Sequence, residues 1–133
     1  MKAEEIKDIV DIRSWSMARR LANSIWELTQ HGTFSKDWDL ARQINRSAGS
    51  AMDNIAEGFG RGGNKELLQF LSVARGSAQE TKSQLYRALD RRHLTKEDFE
   101  ELLDMSAKLT IMMTNWMEVL ERSGQLGSKF RHR

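Results

Sequence analysis

Apolar residues recur along this chain at three- and four-residue spacing in four long blocks. The first block runs from Arg13 to Gln30, with Trp15, Ala18, Leu21, Ala22, Ile25 and Leu28 on one stripe. One buried face of an α-helix requires that spacing. His31-Gly32 ends it. The second block starts at Ser35, a residue type that caps helix N-termini. It carries Leu40, Ile44, Ala48, Ala51 and Ile55, and stops in the glycines of residues 58–63. The third opens with Asn64 as cap, carries Leu67, Leu71, Ala74, Ala78, Leu85 and Leu89, and ends near Arg92. The fourth begins with Thr95 as N-cap and Asp98 as a weak capping-box partner. Phe99, Leu102, Leu103, Ser106, Leu109, Met113, Trp116 and Leu120 line its face, and Ser123-Gly124 closes it. No segment alternates with period two, so no strand is expected. Four long helices with short connections predict an all-α, up-down-up-down antiparallel four-helix bundle.

Composition narrows the chemistry. The 133 residues include no Cys and no Pro. Without Cys there is no disulfide, thiolate nucleophile or Cys-based zinc site. Without Pro nothing interrupts long helices. A single bundle domain is expected over residues 1–124, with a basic tail at 125–133. The mixed-charge start "MKAEEIKDIVDI" does not read as a signal peptide. No stretch reaches the roughly 20 apolar residues of a membrane span. A cytoplasmic protein is expected.

Net charge is only +2, but it is unevenly spread. Residues 65–94 hold six Lys/Arg against three Asp/Glu, residues 122–133 hold four Lys/Arg and no acid, and residues 95–121 are acidic. Arg42, Arg46, Arg61, Arg75, Lys82, Arg87, Arg91 and Arg92 are the candidate phosphate contacts. The basic tail reads more readily as a solvated end than as a binding arm.

"GFGRGG" at residues 58–63 matches G-x-G-x-x-G. The dinucleotide fingerprint needs a strand before it and a helix after it. Here a helical stripe precedes it, so the glycines are expected to end one helix and turn the chain into the next, with Gly58 or Gly60 left-handed.

Two polar ridges stand out. Gln43, Arg46, Ser50, Asn54, Glu57 and Arg61 lie to one side of the second helix's apolar stripe. Gln69, Val73, Gly76, Glu80 and Arg87 lie opposite that of the third. Such ridges are either solvated faces or a second interface. A mid-helix glycine costs about 1 kcal/mol against alanine, so Gly76 favours close approach of another chain. Glu57 and Glu80 are then expected to partner arginines there.

Enzymatic chemistry finds little support. No Glu-x-x-His pair exists for a di-iron bundle site. His31 and His93 fall in predicted loops, where His93 is expected to be solvated, and His132 lies in the tail. The four Trp and seven Met sit at helical spacing and are expected in the core. No metal or cofactor is expected.

"NIAEGFGR" (Asn54–Arg61), "FLSVARGSAQE" (Phe70–Glu80), Leu85 and Ala88 resemble the bacterial four-helix bundle family encoded within intervening sequences of large-subunit ribosomal RNA genes. "SWSMARRLANSIWELT" and "LARQINRSAGSAMDNIAEG" keep that family's order, and the likeness spans about Arg13 to Arg122. The family usually has proline before "NIAEG", where this chain has Met52, and the basic tail lies outside the pattern. The resemblance implies a ring-shaped homo-oligomer, commonly a pentamer, and a nucleic-acid role. A related group comprises the accessory variability proteins of diversity-generating retroelements, which bind a reverse transcriptase. The four-helix bundle family's motif falls on Asn54, Glu57, Gly58, Arg61, Phe70, Ala74, Gly76, Ser77 and Glu80, with Gln43 and Ser50 on the adjoining ridge. These residues either build the ring or hold a ligand.

The function expected is therefore a non-enzymatic homo-oligomer that binds RNA or DNA weakly and without sequence preference. The alternative is a protein-binding adaptor, such as a reverse transcriptase's accessory subunit, with Trp26, Phe59, Tyr86 and Ile111 as candidate anchors. An enzyme using Glu57 and Glu80 as paired carboxylates is the least favoured class.

Overall fold

The computed structural model describes residues 6–131, with side chains through Gly124. Four helices follow a short 3-10 turn (Ile9–Asp11): α1 (Arg13–Thr29), α2 (Trp38–Gly60), α3 (Asn64–Asp90) and α4 (Lys96–Arg131). Among the described residues there is no strand. Each helix packs on two others, in the order α1, α2, α3, α4 and back to α1. Side-chain pairs show that neighbours are antiparallel. From α2 to α3 they run Gln43–Arg87, Ser47–Thr81 and Ser50–Ser77. From α3 to α4 they run Arg75–Thr114 and Tyr86–Phe99.

The core is the set of stripes read from the sequence. Leu21, Ile25, Leu40, Ile44, Ile55, Leu71, Leu85, Leu109 and Met113 are all but inaccessible to solvent. Each such side chain stabilises the fold by about 1.5–3 kcal/mol relative to exposure. Phe34, which no stripe claimed, is equally buried. It comes from a 3-10 turn, Gly32–Lys36, tucked under the bundle between α1 and α2. Trp15 is buried and Trp116 packs against the core, but Trp26 and Trp38 are exposed, contrary to expectation. Trp38 is 80% exposed because it opens α2 on the side away from Leu40.

Helix ends differ from the expected ones for identifiable reasons. Asp37, not Ser35, caps α2, its carboxylate accepting from the Leu40 N–H. The Ser35 hydroxyl donates instead to the Gly32 carbonyl within the 3-10 turn. Asn64 is the first residue of α3 and Gly63 is its cap. Thr95 caps α4 as expected, accepting from the Asp98 N–H at 3.0 Å.

Neither Gly58 nor Gly60 is left-handed. Both lie inside α2, and Gly62 takes the left-handed turn with φ of 83°. The α4 helix does not close at Ser123-Gly124 but runs on to Arg131. A single glycine costs a helix only about 1 kcal/mol, and no proline follows to stop it. The side chains of the 125–133 tail and all of His132 lie outside the described residues, as do residues 1–5 of the N-terminal stretch. Among the described residues no helix is long and apolar enough to cross a membrane.

Candidate nucleic-acid interface

The expected polar ridges are in part a seam that joins α2 to α3. Ser47, Thr81 and Gln84 are buried where these helices meet. The Ser47 hydroxyl lies 2.7 Å from that of Thr81 and 2.6 Å from Gln84 Oε1. Thr81 also donates to the Ser77 carbonyl. One turn along, the Ser50 and Ser77 hydroxyls meet at 3.0 Å, and Asn54 Nδ2 donates to the carbonyl and hydroxyl of Ser50. Buried polar groups must be paired, and this seam pairs them across the two helices. None of its buried members stood out in the sequence, because Ser, Thr and Gln at core positions look like breaks in an apolar stripe.

At the glycine-rich end the seam gives way to close packing. A Cβ on Gly58 would lie 2.6 Å from Phe70 Cβ and 3.2 Å from Leu67 Cδ1. Only glycine lets α2 pass α3 so closely. Arg61 lays its guanidinium 5.3 Å from the centre of the Phe70 ring and donates to Glu57 at 2.8 Å. Ala74 is fully buried on the same line. Asn54, Gly58, Arg61, Phe70 and Ser77 therefore take part in the α2–α3 contact within one protomer, Glu57 holds Arg61 from within α2, and Ala74 belongs to the core. Gly76 and Glu80 do not. A Cβ on Gly76 would meet nothing within 4 Å. Exposed Glu80 accepts from Gln84 Nε2 and, among the described residues of one protomer, pairs with no arginine. Glu57 finds its arginine within its own helix rather than across a contact.

The eight candidate cations do not form one patch. Arg61 stands at the C-terminal end of α2. Arg91 and Arg92 lie at the opposite end, in the α3–α4 connection. Arg75 reaches α4, donating to Thr114 Oγ1, while Arg87 reaches α2, donating to Gln43 Oε1. Three are held by carboxylates: Arg42 by Asp39, Arg61 by Glu57 and Arg91 by Asp37. Arg46, Arg75, Lys82, Arg87 and Arg92 have no ion-pair partner among the described residues.

His93 corrects another expectation. Its side chain is 9% exposed rather than solvated. The ring stacks on Phe34 with centroids 5.0 Å apart. Nε2 lies 2.9 Å from Asp37 Oδ2, and Nδ1 lies 2.8 Å from Thr33 Oγ1. Arg91 donates to the same carboxylate oxygen at 2.8 Å. These partners hold the Asp37 carboxyl down at about 2, the His93 hydrogen bond acting most strongly and the Arg91 bond next. The cluster ties the α1–α2 connection to the α3–α4 connection. Among the described residues no cluster of His, Cys, Asp or Glu is arranged to hold a metal ion.

The model of the 23S rRNA-intervening sequence protein family matches residues 10–115. The chain belongs to this family. A crystal structure from the S23 ribosomal protein family of Bacteroides thetaiotaomicron, a protein described as of unknown function, shares the fold with a TM-score of 0.67. The two are 23% identical over 79% of this chain and 91% of that one. No curated protein matches the chain. For this family member the "NIAEGFGR" and "FLSVARGSAQE" segments, which suggested the relationship, are the two sides of the α2–α3 contact.

Proposed function

We propose that the protein is a non-enzymatic homo-oligomer, ring-shaped and pentameric as its family likeness suggests, that associates with RNA or DNA in the cytoplasm. Binding is weak and sequence-tolerant. The observation that carries this reading is that five of the eight candidate cations, Arg46, Arg75, Lys82, Arg87 and Arg92, are left without carboxylates among the described residues. Assembly multiplies so scattered a set. Phosphate affinity grows with the number of contacts, and log affinity falls with log salt by about 0.9 per phosphate neutralised on duplex DNA. The family's connection with ribosomal RNA genes supports a nucleic-acid partner.

Titration of long RNA and duplex DNA at several salt concentrations, alongside mass measurement in solution, tests this. A steep salt slope that flattens when Arg46, Arg87 and Arg92 are replaced by Ala is expected. Replacing Arg42 and Arg91, already paired, should change it less. Absence of binding at low salt overturns the proposal. The protein-binding adaptor, for instance toward a retroelement reverse transcriptase, then takes its place, with exposed Trp26, Tyr86 and Ile111 as anchors. Phe59 is partly buried against the core and is a weaker candidate.

A further inference from the structure

A groove of about 860 Å³ opens where the N-terminal turn and the start of α1 meet the later turns of α4. Ile6 and Ile12 form one wall, and Met112, Trp116 and Val119 of α4 form the other. Ile111, at its edge, is 59% exposed, so this apolar surface is open to solvent. The α2–α3 seam and most of the candidate cations lie elsewhere on the bundle.

One end of the groove has a different chemistry. Arg13 and Ser14, the first residues of α1, line it. The α1 N-cap is Ile12, which supplies no side-chain cap. The first N–H groups of a helix have no intrahelical acceptor and carry the positive end of its dipole. Ser14 is 3% exposed and its Oγ has no hydrogen-bond partner among the described residues. Arg13 forms no ion pair among the described residues. Nor does Arg20, which lines an adjoining depression that shares Arg13 and Met112. Asp11 also borders the groove, but its carboxylate accepts from the backbone N–H groups of Lys7 and Asp8 and is turned back onto the N-terminal turn. Lys108 is held by Asp104 at 2.9 Å.

We propose that this groove binds a small amphipathic anion. Its carboxylate or phosphate head sits at the α1 N-terminus, beside Arg13 and Ser14, and its apolar body lies along Met112, Trp116 and Val119. Helix N-termini bind such anions through free N–H groups and the dipole. The buried Ser14 hydroxyl gains the partner it lacks. The volume falls within the roughly 300–1,000 Å³ of small-molecule sites.

The full chain is titrated with the fluorescent anion 1-anilinonaphthalene-8-sulfonate, and decanoate, decyl phosphate and decanol are used as competitors. Saturable binding of one dye per protomer is expected, displaced by the anions and at least about threefold less well by decanol, the range a helix dipole and a nearby charge supply. The better of the two anions identifies the head group. Ile111→Glu, on an exposed position, should abolish binding with the fold intact. Arg13→Gln and Ser14→Ala should weaken it, and Ser14→Ala should leave the Tm unchanged or higher, because it removes an unpartnered buried hydroxyl. Absence of saturable binding, equal displacement by decanol, or unchanged binding by Ile111→Glu overturns the proposal. So does an oligomer that Ile111→Glu dissociates and that binds dye only once dissociated, because a second copy then fills the groove.

Discussion

His93 Nε2 and Asp37 Oδ2 stand 2.9 Å apart although 56 residues separate them in the chain. This contact closes one end of the bundle. Asp37 caps α2 through the Leu40 N–H and receives Arg91 as well, so one carboxylate fixes a helix start and two connections. His93 reaches both sides, with Nε2 at Asp37 Oδ2 and Nδ1 within 2.8 Å of the Thr33 hydroxyl. Phe34, stacked beneath the ring, keeps the pair largely dry.

Acid should weaken this end first. Asp37 is lowered from 3.8 to about 2, so it favours the folded state only while ionised. Its contribution is fully present above about pH 4 and is lost as the pH falls through about 2, amounting to about 2 kcal/mol. Asp37→Asn keeps a capping oxygen but loses the charge. It should lower the Tm at neutral pH and flatten the dependence of stability on pH between 4 and 2. Denaturant unfolding at several pH values checks this, and an unchanged pH profile would contradict the assigned role.

Gly58→Ala should destabilise the protein although alanine is the better helix former. The new Cβ meets the Cβ of Phe70, an atom fixed to the α3 backbone. Overpacking of this kind costs about 1–3 kcal/mol, which exceeds the gain of about 1 kcal/mol in helix propensity when the helices cannot separate. Thermal unfolding should show a lower Tm. Gly60→Ala, with nothing within 4 Å of its Cβ, should instead leave the Tm level or raise it.

These two sites show what the sequence revealed and what it hid. The apolar stripes placed all four helices, since burial of one face is written locally in residue spacing. Thr95 was legible as a cap for the same reason. Ser35 and Asp37 are both of types that cap helices, and only the contact with His93 and Arg91, far along the chain, decides between them. The helical stripe leading into Gly58 was legible, but the glycine's own task depends on Phe70, and no local pattern reports how closely two helices cross. The polar ridges were visible. That Ser50, Asn54 and Ser77 face the neighbouring helix, while Gly76 faces outward, required the fold.

The buried seam should be more sensitive than its half-buried extension. Ser47→Ala removes a hydroxyl that meets both Thr81 and Gln84, leaving a buried polar group without its partner at a cost of about 1–3 kcal/mol. Ser50→Ala breaks the contact with Ser77 where water can replace it, and should cost about 1 kcal/mol or less. Equal losses in chemical denaturation would show that water reaches the seam throughout.

Gly76 is the motif residue that the protomer itself leaves unexplained. It sits mid-helix on α3, exposed, with nothing within 4 Å of the position a Cβ would take. A side chain there meets no obstacle within one chain, so Gly76→Leu should fold and keep its helical content, with slightly better helix propensity. If another protomer approaches at this point, the leucine fills the space its backbone needs, and overpacking of about 1–3 kcal/mol is repeated at every contact of a ring. The expected result is a wild type that sediments as an oligomer and a Gly76→Leu variant that sediments as a smaller species with an unchanged helical circular dichroism spectrum. Exposed Glu80, one turn away, provides the companion test. Glu80→Gln should leave the stability of a dissociated protomer within about 0.5 kcal/mol of wild type, while weakening the assembly if a neighbour's arginine meets it. Analytical ultracentrifugation of both variants against wild type decides the matter: an intact oligomer in Gly76→Leu places the subunit contact elsewhere on the bundle.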